Sequence, residues 1–225
     1  MSRSIVIAVD GTAASGKGTL AKKLAEHFGF AHLDSGSLYR LVALGVADAG
    51  GDPNNEADAA RAARRLTPEA IEHGQKDDGQ IRSAEIGHTA SVVSAFPEVR
   101  QALLQFQRDF AARPPGQAKG AVIDGRDIGT VICPNATAKL FIDAAPEIRA
   151  RRRWLELKGR REQADEARLL AEIIERDRRD RERIVSPLKP APDAHLLNTT
   201  HLDIDPAFAA ALALVQPKVE EALKA

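Results

Sequence analysis

Short apolar runs alternate with stretches in which apolar residues recur at helical spacing. Residues 5–9 (IVIAV) form an unbroken, β-branched run that predicts a buried strand. Leu20, Leu24 and Ala25 follow at helical spacing, with Lys22 and Lys23 between them, and Gly29 is the stop. Residues 30–33 are a short apolar piece ending at Asp34-Ser35-Gly36, and residues 37–46 read as helix up to the break at Gly50-Gly51-Asp52-Pro53. Residues 56–66 are helical, Thr67-Pro68-Glu69 starts another turn, and the polar stretch 73–80 reads as an exposed turn or loop. Helices are predicted over 83–94 and 99–110, the second with Leu103, Phe106 and Phe110 inward.

Two more buried strands are predicted at 121–124 and 139–143 (KLFID). Pro146 opens a helix through 157, Gly159 breaks it, and a charged helix spans about 162–183 with Leu169, Leu170, Ile173 and Ile174 as its apolar stripe. Pro187, Pro190 and Pro192 give an extended segment, 195–197 a last strand, and 205–223 a closing helix. Strands alternating with helices predict an α/β fold, a parallel sheet with helices on both faces, as one domain over 1–225.

The first strand runs into a glycine loop, Gly11, Thr12, Ala13, Ala14, Ser15, Gly16, Lys17, Gly18, Thr19, that opens the first helix. Glycines let consecutive N–H groups turn inward, the helix N-terminus attracts phosphate, and Lys17 reaches toward the outer phosphates. Gly18 stands where many NTPases carry a magnesium-binding hydroxyl, so magnesium is expected through water or Thr19. This loop, Asp34-Ser35-Gly36 and Gly125-Arg126-Asp127 each follow a predicted strand, and ligands in such sheets sit at the carboxyl ends of strands.

Composition narrows the function. Lys plus Arg equals Asp plus Glu, at 32 each among 225 residues, and aromatics are 4%. There is no global basic surface or stacking platform to argue for nucleic acid. No run reaches the length of a membrane span, and the chain enters its first strand directly, so cytoplasmic residence is the expectation. Cys133 is the one cysteine, read as a small buried hydrophobe. The six histidines show no paired ligand spacing and read as ordinary.

Phosphoryl transfer asks for cations around the moving group, and Lys17, Arg40, Arg126 and Arg183 are the candidates. Arg126 stands out because it directly follows a buried strand. Most arginines between 149 and 183 read as a solvated face, Arg178 and Arg179 among them, and Trp154 as helix packing. Asp10 fits a turn-bonding role, and Asp124 either a magnesium role or a loop-holding one.

Six segments together resemble one family: GTAASGKGT (11–19), LDSGSLYR (33–40), TASVVSAFPEVR (89–100), IDGRDIGTVICPNA (123–136), KLFIDA (139–144) and ERDRRDRERIVSPL (175–188). They resemble the bacterial cytidylate kinases, P-loop nucleoside monophosphate kinases, in the family's order. The GRD loop with AFPEVR separates this family from adenylate kinases. The resemblance implies an enzyme that uses ATP and Mg2+ to phosphorylate CMP and dCMP. It implies a P-loop core, an NMP-binding lobe at about 37–113 and a lid at about 154–183. It assigns ATP phosphates to residues 11–19 with Arg153 from the lid, and cytosine to Ser35, Ser91, Arg100 and Asp127. The acceptor phosphate goes to Arg40, Arg126 and Arg183, and the ribose to Arg176 and Asp180. Arg176 and Asp180 are four apart and Arg183 three further, so a helix keeps them near one face. One departure is visible: 66–87 lacks the alternating pattern of the family's small lobe sheet, so a trimmed lobe is expected. The rivals are a P-loop kinase for another acceptor, such as UMP, and a nucleotide-binding switch. A monomer is the plain expectation.

Overall fold

A computed structural model of the chain describes residues 4–76, 81–159 and 163–224. The first apolar run becomes β1 (Ile5–Gly11), buried at every position because neighbours flank it on both sides. β1 pairs in parallel with β3 (Gly120–Gly125) and with β4 (Ala138–Asp143). With β2 (Ala31–Asp34) and β5 (His195–Asn198) the sheet has, among the described residues, five strands in the order β2-β3-β1-β4-β5. Ile5, Ile7 and Val9 alternate onto the face packed by α1 (Lys17–Phe28) and α9 (Ile204–Lys224), together with Val122, Leu140 and Ile142. Asp10, one residue out of phase, turns to the opposite face.

The remaining helices are α2 (Ser35–Asp48), α3 (Glu56–Arg64), α4 (Pro68–Lys76), α5 (Ala84–Val93), α6 (Pro97–Ala112), α7 (Pro146–Gly159) and α8 (Glu166–Glu182). The chain divides into two compact units, Met1–Leu33 with Ala111–Ala225, and Asp34–Phe110. The second has its own core, built from Leu38, Val42, Val46, Ala59, Ala63, Val93 and Leu103. Among its described residues beyond Asp34 there is no strand.

Several expectations are corrected. Residues 73–76 continue α4 instead of forming a loop, while 77–80 lie outside the described residues, as do 160–162 at the expected start of the lid helix. Ile174 is 52% exposed, because α8 buries only a narrow stripe through Leu169 and Ile173. Cys133 is half-buried, since it ends a surface turn. Arg179 is half-buried, not exposed. The segment after Asp127 forms a one-turn π-helix, Ile128–Ile132, which no periodicity announces. Trp154 packs locally: its indole donates to the Ala164 carbonyl, with Arg151 and Lys158 over its ring.

Candidate active site

The phosphate loop leaves β1 at Gly11, where a Cβ would lie 2.0 Å from the Ile142 carbonyl oxygen and φ is +155°; only glycine fits so close to β4. The Thr12 hydroxyl donates to Asp143 at 2.6 Å and the Ser15 hydroxyl to the Thr12 carbonyl at 3.0 Å. Ala14 sits at φ 57° and Gly16 at φ 89°, which curls the loop into the start of α1.

The loop's outer side is anchored by residues the sequence did not single out. Arg149, 1% exposed, donates to the Ala13 carbonyl at 3.2 Å and to the Ala144 carbonyl at 2.8 Å. Arg152 reaches the Ser15 carbonyl at 3.4 Å, and the Thr199 hydroxyl donates to the same oxygen at 2.9 Å. In a trans peptide the carbonyl and the following N–H point opposite ways. Holding Ala13 and Ser15 carbonyls outward therefore turns the Ala14 and Gly16 N–H groups inward, which is the polarity an anion requires. Arg149 also makes a bidentate pair with buried Asp177 on α8, at 3.1 and 2.6 Å. Arg153, expected to be a lid contact, pairs with Glu156 at 2.8 Å.

Beside the loop, Asp124 at the carboxyl end of β3 lies 3.8 Å from Lys17 Nζ and accepts a hydrogen bond across 2.9 Å from His32 on neighbouring β2. Burial opposes its ionisation, yet the His32 hydrogen bond and the Lys17 charge hold its carboxyl below the usual carboxylate range. His32 is a contact that ligand spacing could not reveal; it follows from β2 lying beside β3. An ionised, buried carboxylate beside Gly18, whose Cβ position lies 3.7 Å from it, with Lys17 on its other side, fits an outer-shell magnesium site. Among the described residues no cluster of three or more His, Cys, Asp or Glu residues forms a direct metal cage.

The loop after β3 gathers the acceptor-side candidates of this unit. Arg126 Nε donates to Asp180 at 2.9 Å, and Asp180 also lies 3.8 Å from Arg183 and 4.0 Å from Arg176. Arg183 is 4.0 Å from Asp127, and its Nε donates to the Ser186 carbonyl at 2.5 Å. The structure thus brings together Arg126, Asp127, Arg176, Asp180 and Arg183. Burial works against ionised Asp180, but the three guanidiniums outweigh it and hold its carboxyl below the ordinary range. With a folded value below the unfolded one, its stabilisation is present above about pH 4 and lost as pH falls through the folded value. Urea melts of the wild type against Asp180→Asn are expected to show the largest deficit at neutral pH and a shrinking one toward pH ~3. A deficit independent of pH removes the carboxylate charge from the account.

Asp10 accepts the Ile128 and Gly129 N–H groups, both at 2.7 Å. Burial pushes its pKa up to about 7, against the lowering effect of those two bonds. On the same face Lys139, also buried, donates to the Pro134 carbonyl at 2.6 Å and to Asp193 at 2.8 Å.

In the second unit Asp34 caps α2, accepting the Ser37 N–H at 3.3 Å, and this sets buried Ser35 and half-buried Arg40 on the first turns. Arg40 donates to the Ile81 carbonyl at 2.8 Å and lies against Gly87 of α5. Arg100 lies over the Tyr39 ring and donates to the Ser94 carbonyl at 3.1 Å, and the Ser94 hydroxyl donates to the Ser91 carbonyl. The Ser91 hydroxyl is buried with no hydrogen-bond partner among the described residues, an arrangement that a ligand would complete.

Comparison with known proteins gives the family. The family model described as "Cytidylate kinase" matches residues 7–217. A cytidylate kinase of Nitrobacter winogradskyi is 56% identical over 94% of this chain and 96% of its own length. One from Rhodopseudomonas palustris strain TIE-1 is 54% identical over the same shares. A crystal structure of an uncharacterized protein from Eubacterium ventriosum covers 94% of this chain and 98% of its own with a TM-score of 0.54 at 17% identity, a likeness of fold. With a phosphate loop, a GRD turn after β3 and an arginine-ringed aspartate on α8 as its frame, the chain belongs to the cytidylate kinase family.

Proposed function

We propose that the chain transfers the γ-phosphoryl group of ATP to the 5′-phosphate of CMP and dCMP, giving CDP and dCDP. The observation that carries the reading is the cluster in which Arg126, Arg176 and Arg183 surround Asp180, with Asp127 beside Arg183. Three guanidiniums around one carboxylate leave surplus positive charge for an acceptor phosphate, while Asp180 fixes their directions.

Lys17 and the inward N–H groups of residues 11–19 take the β- and γ-phosphates, and Arg126, Arg183 and Arg40 neutralise the acceptor phosphate and the charge that develops in transfer. Arg153 supplies a further lid contact. Asp180 and Arg176 hold the ribose. Cytosine offers an amino donor beside acceptor N3 and O2, which suits the Asp127 carboxylate with Arg100, Ser35 and Ser91. Uracil puts a carbonyl where the amino group stood, against Asp127, and is rejected. Asp124 with Thr19 would hold Mg2+ through water, and the ion would supply charge neutralisation on the transferred phosphates.

The 37–113 segment serves as the acceptor lobe and 154–183 as the lid. The enzyme works as a cytoplasmic monomer without nucleic-acid partners. ADP formation with CMP, dCMP, UMP and AMP offered in parallel tests the reading: strong turnover on the two cytidylates alone supports it, and equal UMP turnover overturns the base assignment. Asp127→Ala is expected to raise the CMP KM about tenfold or more while leaving the ATP KM within about twofold. Equal loss for both nucleotides removes Asp127 from the base.

A further inference from the structure

The π-helix that follows Asp127 has an unusual cap. Asp127 stands at its N-cap position with φ −145°, yet its side chain makes no capping hydrogen bond. Aspartate at that position ordinarily turns its carboxylate back onto the helix. Such a cap reaches the second and third helical N–H groups; here the second, of Gly129, is already taken by Asp10, 119 residues earlier in the chain, whose other carboxylate oxygen accepts from Ile128. The helix cap is thus supplied from the end of β1.

The arrangement is built, not incidental. Asp10 is 3% exposed and lies opposite Gly125 in the β1–β3 register, so the strand pairing that creates the GRD turn also brings Asp10 to it. Gly129 leaves the room: a Cβ there would come 3.1 Å from Lys139 Cδ and 3.4 Å from Asp10 Oδ2. Lys139 secures the far end of the same segment through the Pro134 carbonyl. A buried carboxylate in this place costs desolvation, and a neutral side chain would fill the space at less cost. What the carboxyl group provides is two acceptor oxygens where a helix N-terminus presents unpaired donors.

We propose that Asp10 is a positioning residue that caps the helix after Asp127 in Asp127's stead, and so keeps the Asp127 carboxylate directed to the acceptor base. The proposal rests on the assignment of Asp127 to cytosine. Asp10 touches neither nucleotide in this account; it acts through Asp127, and the selectivity for cytidylate over uridylate is the quantity it controls.

The experiment is a double-mutant cycle on base selectivity. Asp10→Asn keeps the size but offers only one acceptor, with its amide facing the second N–H. The ratio of kcat/KM for CMP over UMP is expected to fall about tenfold, with the ATP KM little changed. In Asp127→Asn the ratio collapses, and adding Asp10→Asn to that variant is expected to lower it no further. A crystal structure of Asp10→Asn is expected to show Asp127 turned back onto the Gly129 amide. If CMP and UMP lose activity alike in Asp10→Asn, or if the two substitutions act additively, the proposal is overturned and Asp10 is only a structural brace. If Asp127→Asn itself leaves the ratio intact, the base assignment falls first and this proposal with it. Should Asp10→Asn not fold, Gly129→Ala carries the test: its methyl displaces the amide from Asp10 without altering charge, and an unchanged ratio there overturns the proposal.

Discussion

Replacing Arg126 with alanine is expected to lower kcat with CMP by about 10²–10³-fold while the ATP KM moves little. Two effects add. The first is loss of a guanidinium from the proposed acceptor-phosphate site. The second is loss of the 2.9 Å hydrogen bond to Asp180, which leaves that buried carboxylate to Arg183 at 3.8 Å and Arg176 at 4.0 Å. Asp180 then draws Arg183 toward itself and away from the phosphate, so one substitution disturbs two cations. Arg126→Lys separates the effects: it restores a charge without the planar fork, and kcat is expected to recover only in part. Steady-state kinetics with saturating ATP decides it, and an unchanged kcat in Arg126→Ala removes the residue from the chemistry.

Asp177→Ala carries the largest expected loss of stability. Arg149 has a 2% exposed side chain and would keep its charge without its bidentate partner. Breaking a buried pair from one side costs about 3–5 kcal/mol. In a chain of this size that is a fall in Tm of about 6–20 °C. Arg181, 3.7 Å from Asp177 and half exposed, takes no part in compensating on the Arg149 side. The functional share is separable. Arg149→Met with Asp177→Leu replaces the pair by apolar groups and is expected to recover much of the Tm. It leaves the Ala13 carbonyl without Arg149, so ATP binding stays weak. Thermal melts and nucleotide titrations on the two variants test this. A double variant that regains both stability and ATP affinity would mean that Arg149 does not hold the phosphate loop.

These residues mark where the sequence stops being legible. The glycine loop, the GRD turn and the spacing of Arg176 and Asp180 on α8, with Arg183 at its C-cap, depend on neighbours a few places apart, and each was readable in order. Arg149, Arg151, Arg152 and Arg153 stand on one helix and look alike in sequence. One is buried in a salt bridge, one is exposed against Glu166, one clamps Ser15 and Thr199, and one pairs along the helix. Only the position of α7 beside the phosphate loop sorts them. His32 needed the strand order, and Asp10 needed the β1–β3 register, before either could be tied to its partner. The loop expected at 73–80 failed in its first half because the α4 pattern outruns its polar residues up to Lys76.

β1 lies in the middle of the sheet, although it is the first strand of the chain. Its partners begin at Gly120 and Ala138, and the hydroxyl that holds the Ser15 carbonyl belongs to Thr199. On a ribosome adding 5–20 residues per second, β1 therefore waits roughly ten seconds for a neighbour. Through that interval it is a bare apolar strand with two unsatisfied edges, the state most open to chaperones and to misassembly. The nucleotide site, spelled out almost at once in the sequence, is among the last parts of the molecule to exist.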